Sequence, residues 1–433
     1  MWLADEAVKH VDRDELVELA LRICNIDSAG PHEAAAGEYV YAWLRAEGFQ
    51  ARKTGLLADR FNLIGRLPGT GGGYSLLFNS HLDTAVQASD TWVVKDADAD
   101  VYHKAWVEGD QLVGEGIVND KGPMAAFLIA AKAVKATGMP LKGDLLLTAV
   151  VGETSHEPAD DPPGALLETG DLGVRWLVTH GGVADYALVA EGTGFSLVAV
   201  EAGMAWFKVT WVSDQPAYYV PYLPDRTTLA ESPNMIVRAA AGIAALEGWA
   251  ADYQRRYAYE SPGGPVVPKA QVGGIRGGDA TRPIMAPQVC SIYVMVFTPP
   301  GLPPLVLQDE LAAALRAAGV PATAIELYLF RRGYECRNVE RLRDALLAAH
   351  LATFGTPPPP PNPATCSMWR DINVFSEVGI PAITYGPRSE THSFKRSFPV
   401  GALYQAACVY ARLIVDLCNQ EKRLPSATAA VSQ

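Results

Sequence analysis

Apolar residues recur in two alternating rhythms along the first two hundred positions. At 14–21 and 34–47 they repeat at helical spacing, whereas 63–67, 75–79 and 145–151 are short apolar runs bounded by glycine, proline or polar residues. Pro123 stands where a first helical turn tolerates it, because its missing N–H has no partner there anyway. The run MAAFLIAAKAVKAT continues that helix. Strands and helices taking turns predict an α/β domain, a sheet with covering helices.

From about 198 the rhythm changes. Positions 198–212 read as a strand, 233–256 as a long helix with Ser232 or Asn234 as its cap, and 289–297 as a strand. A helix over 307–318 and a strand over 323–330 follow, with one more strand near 270–274. Strand, helix, strand, helix, strand fits a ferredoxin-like α+β unit. After 339 the α/β pattern resumes, interrupted by the stiff proline run TPPPPPNPAT at 356–365, and it ends in a polar tail from about 424. The expected organisation is therefore a discontinuous α/β domain over 1–197 and 336–433, with an α+β domain inserted at 198–335.

A length of 433 residues agrees with more than one core. The net charge of −12 argues against a nucleic-acid partner, which would need a basic face. The N-terminus carries charges throughout and lacks the apolar run of a signal peptide. Apolar stretches such as 145–151 fall far short of the roughly 20 residues that span a bilayer, so no membrane partner is expected. The six cysteines, at 24, 290, 336, 366, 408 and 418, form no C-x-x-C pair. They read as reduced thiols of a cytoplasmic protein.

The candidate chemistry collects at strand ends. SLLFNSHLDT delivers His81 at the end of a buried strand, the edge where α/β proteins place ligands, with Asp83 two residues on to orient the ring. LLLTAVVGETSHEP ends at Glu153, DYALVAEGTG at Glu191, and IPAITYGPRSETHSF near His392. Four strand ends that each supply a histidine or a glutamate point to a metal site.

In order and spacing these residues resemble the metallohydrolase family containing acetylornithine deacetylase, succinyl-diaminopimelate desuccinylase and carboxypeptidase G. His81 and Asp83 match its H-x-D, and Asn119-Asp120-Lys121-Gly122 its D-x-K-G. Glu153 matches the first Glu of its D-E-E, Glu191 its lone later acid, and His392 its last histidine. The resemblance implies a zinc-peptidase-like catalytic domain with a mixed sheet, and an inserted domain that serves as lid and dimerisation element in a homo-oligomer. It also implies two metal ions bridged by the Asp, with Glu153 as general base.

Three departures bear on that expectation. Asn119 replaces the bridging Asp. Thr154 replaces the second Glu, unless the segment slips by one residue and makes Glu153 the ligand. No histidine occurs between His180 and His350 to reach in from the inserted domain, so Tyr218 or Tyr219 would have to serve as a neutral donor. A neutral amide bridges two cations poorly, and two negative charges are lost. The expectation becomes a single divalent ion (Mn, Zn or Co), weakly held by His81, by Asn119 or in its place Asp120, and by Glu191, with His392 as a further candidate.

One ion suffices for hydrolysis of a small-molecule substrate, with Glu153 moving the proton. Arg370 in TCSMWRDINVF offers a fork for a substrate carboxylate, or a salt bridge to a local acid such as Asp371. The altered set resembles the branch that hydrolyses 5-nitroanthranilate to 5-nitrosalicylate and ammonia, a reaction in which an electron-poor ring spreads the developing charge. Hydrolysis of N-acyl amino acids or dipeptides, and a binding protein without catalysis, are the two other readings.

Overall fold

The computed structural model describes residues 2–154, 160, 171–387 and 396–422. His392 and the polar tail from 424 lie outside the described residues. The chain divides into two compact units. The first comprises Met1–Ala199, Cys336–Pro361 and Arg370–Gln433, and the second Val200–Glu335 with Asn362–Trp369. The segment 362–369, which the sequence pattern assigns to the α/β part, thus belongs with the α+β part. The proline run leads directly into it.

The first unit is built on a six-stranded mixed sheet among the described residues. Its strand order is Gln50–Leu57, Arg60–Leu67, Leu145–Val150, Leu76–His81, Tyr186–Val189, Ala382–Thr384. The first two pairings are antiparallel, and the last three are parallel. Every residue of Leu76–His81 and of Leu145–Val150 is buried, as a parallel sheet covered on both faces requires. Parallel pairing matters for the site, because it brings the carboxyl ends of these strands to one edge: His81 stands opposite Val150, and Asn79 opposite Val189.

The helix Lys121–Ala136 carries Pro123 in its first turn and packs against the strand Leu76–His81 and the helix Val400–Cys418. Val400–Cys418 is long and apolar enough to cross a membrane by length and composition. It is instead a core helix: 67% of its apolar window is buried inside the protein. The six cysteines are buried.

The second unit has an antiparallel sheet in the order Ala270–Gly277, Val289–Thr298, Gly203–Val212, Ala324–Arg331. From Ala205 on the strand Gly203–Val212 alternates, with Ala205, Phe207, Val209 and Trp211 buried in a core shared with the helices Met235–Arg256 and Pro304–Ala317. Asn234 caps the first of these helices, its side chain accepting from the Ile236 N–H at 2.9 Å. Gly242 lies on that helix where a Cβ would come within 2.6 Å of the Trp211 ring, so only glycine fits.

Candidate metal centre

His81 ends its strand fully buried, and its ring is fixed from one side only. Nδ1 lies 2.9 Å from the Asp83 backbone carbonyl, which can only accept, so Nδ1 is the donor there and Nε2 is the nitrogen left to face a ligand. Nε2 is buried without a hydrogen-bond partner. The H-x-D spacing suggests that Asp83 orients the ring, and in the structure its backbone carbonyl does so. The carboxylate is 3.6 Å from Nδ1, beyond hydrogen-bond range.

Asp83 holds the Glu153 loop instead. Its Oδ1 accepts from the Glu153 N–H at 3.0 Å, and its Oδ2 accepts both the N–H and the hydroxyl of Thr154, each at 2.6 Å. Thr154, which stands where the family pattern has a second Glu, is thus engaged by Asp83. Gly152, at φ 69°, makes the turn out of the strand that an L side chain would strain. Glu153 then faces the imidazole, with Oε2 3.8 Å from His81 Nε2.

His81, Asp120 and Glu191 form the cluster. One ligand atom from each lies within 4.8 Å of the others, and all three residues are buried. Asp120 precedes the helix Lys121–Ala136, and the Asn119–Asp120 peptide is cis. Of the two neighbouring candidates, Asp120 supplies its carboxylate here. Asn119 is half-buried at the end of the short helix Glu115–Val118, where its N–H donates to the Glu115 carbonyl at 2.9 Å. Both Asp120 carboxylate oxygens are buried and without hydrogen-bond donors of ordinary geometry, while the Ser80 hydroxyl donates to the Asp120 carbonyl at 3.1 Å.

The electrostatics are those of crowded acids. Burial, reinforced by the charge of Glu191, pushes the Asp120 carboxyl well above the usual range. Burial, then Glu191, Asp371 and Asp83, does the same to Glu153. Asp371 is likewise raised, by burial and Glu191, although its Oδ2 accepts from Asn79 Nδ2 at 2.7 Å. Asp83 alone goes the other way. Burial opposes it, but His81, the Thr154 hydroxyl and two N–H donors hold it below the usual range. Asp371 enters this group without a motif; only its place beside Arg370 marks it in the sequence.

These residues fit a divalent cation. A lone imidazole nitrogen and an undonated carboxylate converge with a second carboxylate, a donor set that suits Zn²⁺, Mn²⁺ or Co²⁺. Arg370 is buried, and its Nε pairs with Glu191 Oε2 at 2.5 Å. The local acid of the salt-bridge alternative is thus Glu191. Tyr218 and Tyr219 belong to the second unit. The Tyr218 carbonyl accepts from the Ala286 N–H at 2.8 Å, and Tyr219 is half exposed at the start of a short turn, Val220–Tyr222.

Residues 77–416 match the family described as Peptidase family M20/M25/M40. N-formyl-4-amino-5-aminomethyl-2-methylpyrimidine deformylase of Bacillus subtilis is 30% identical over 186 residues, covering 41% of this chain and 39% of that protein. Succinyl-diaminopimelate desuccinylase of Xanthobacter autotrophicus is 32% identical over 182 residues, 40% of this chain and 42% of that protein. The matched stretches therefore span about two fifths of either relative. Among solved structures, human carnosine dipeptidase 1 shares the fold at a TM-score of 0.70 and 12% identity, over 96% of this chain and 99% of that one.

Proposed function

Because this chain belongs to peptidase family M20/M25/M40, we propose that it is a metal-dependent hydrolase of C–N bonds in a small carboxylated substrate. The observation that carries the reading is the convergence of His81 Nε2, Asp120 and Glu191 beside Glu153. A divalent ion bound to the three would supply Lewis acidity, lowering the pKa of a water and polarising the substrate. Glu153 is placed to take the proton from the attacking water. Glu153 can then hand that proton to the departing nitrogen. Asp83 positions Glu153 through the backbone, and also fixes the tautomer of His81.

For the substrate we favour an electron-poor aromatic amine with a carboxylate, 5-nitroanthranilate being the test case and 5-nitrosalicylate with ammonia the products. What supports it is the altered ligand set: Thr154, bonded to Asp83, stands where the family pattern has a second metal-binding Glu. A substrate that delocalises its own charge needs less from a second ion. The relatives named for removing formyl and succinyl groups favour a second reading, N-acyl hydrolysis. A panel decides between them. Ammonia release from 5-nitroanthranilate with Mn²⁺, Zn²⁺ or Co²⁺ supports the first. Formate or succinate release from N-formyl or N-succinyl amines, without ammonia from the aromatic amine, supports the second. No turnover on either arm with any of the ions contradicts both.

A further inference from the structure

The proposed reaction makes no use of Arg370, which is buried in the centre. Its backbone is pinned from both sides. The Arg370 carbonyl accepts from the Asn373 N–H at 3.1 Å in the turn opening the helix Ile372–Glu377, and the next residue, Asp371, is tied to Asn79 of the strand Leu76–His81. The side chain is only 4% exposed. Nε meets Glu191 Oε2 at 2.5 Å, and Nη2 reaches the Gly192 carbonyl at 3.4 Å. One permanently charged group therefore sits against Glu191, a cation ligand in the reading above.

We infer that Arg370 is the built-in cation of this centre. It engages one oxygen of Glu191, leaving the other for the ion, and its charge takes up the negative field that a second divalent ion would need. The centre is thereby limited to one weakly held ion. This inference rests on the metal-site reading of the preceding section. A guanidinium is fixed in geometry and cannot lose its proton in a protein, so this counter-charge persists at every working pH. An Arg370 that merely stabilised the fold would leave metal affinity unchanged or weaken it when replaced.

The test is calorimetric titration of the metal-stripped, full-length protein with MnCl₂, comparing wild type, Arg370→Lys and Arg370→Met. Wild type is expected to take up one ion, and Arg370→Lys to match it within about threefold. Arg370→Met is expected to bind at least tenfold more tightly or to accept a second equivalent. Should Arg370→Met fail to fold, Arg370→Met/Glu153→Gln keeps the net charge of the cluster and is compared with Glu153→Gln alone, with the same tenfold expected. Unchanged or weaker binding in the methionine variants overturns the inference while leaving the metal site intact. So does an Arg370→Lys variant that binds as tightly as Arg370→Met. A wild-type protein that binds no ion refutes the metal-site reading itself.

Discussion

Replacing Thr154 with valine removes one hydrogen bond and almost nothing else, since the two side chains have nearly the same shape. The lost bond is the 2.6 Å donation from the Thr154 hydroxyl to Asp83 Oδ2. Hydrogen bonds to charged groups contribute about 1.5–3 kcal/mol. Here the acceptor keeps the Thr154 N–H at 2.6 Å, and its other oxygen keeps the Glu153 N–H at 3.0 Å. No buried charge is orphaned, so the lower end applies, about 1.5 kcal/mol. Urea unfolding should show that loss as a lower midpoint at unchanged slope. Thr154→Ser, which keeps the hydroxyl, should lose no more than about 0.5 kcal/mol. Because the same Asp83 carboxylate holds the Glu153 N–H, turnover should fall in the valine variant and recover in the serine variant. A valine variant as stable as wild type, or a serine variant as damaged as valine, would refute this account of Asp83.

Glu153→Gln should lower turnover by about 10²–10⁴-fold, as expected for removing a general base, while Mn²⁺ titration still shows wild-type stoichiometry. Asp120, Glu153 and Asp371 all have raised carboxyl pKa values in the folded, metal-free protein. Their contribution to stability is full below the unfolded carboxylate pKa of about 4 and is lost as pH rises through the folded values. Scanning calorimetry of the stripped protein should therefore show a melting temperature that falls from pH 5 to pH 8; a flat or rising profile contradicts this. Manganese at a hundred times its dissociation constant should restore about 2.7 kcal/mol. Restoring the family pattern with Asn119→Asp and Thr154→Glu together, in the Arg370→Met background, should add a second equivalent of Mn²⁺ in titration, and a variant that still binds one ion would show that these positions do not set the stoichiometry.

Much of the scaffold was legible because buried parallel strands must be apolar on both faces. The runs at 75–79 and 145–151 announced the central strands, and a histidine or glutamate just past each run marked the edge where the site forms. The second unit was legible from its order of strands and helices, and from Ala205 to Trp211 every other residue enters the core. What stayed hidden depends on side chains meeting across long sequence separations. Asp371 joins the acids because Asn79, 292 residues away, holds it there, and no local spacing encodes that bond. The residue that engages Thr154, and the acid that pairs with Arg370, are likewise fixed by packing. Asp83 shows the limit of motif reading within two residues: the spacing placed it beside His81, but could not say that carbonyl and carboxylate divide the work. The choice between Asn119 and Asp120 was open in the sequence for a related reason, since adjacent residues in an irregular turn do not reveal which side chain faces inward.

The central claim is that one divalent ion is held by His81, Asp120 and Glu191. Anomalous diffraction from crystals of the full-length protein soaked in MnCl₂ tests it most directly. The account predicts a single peak at about 2.0–2.3 Å from His81 Nε2, with carboxylate oxygens of Asp120 and Glu191 at similar distances. Two peaks at the centre, or a single peak that omits any of these three residues, would contradict it.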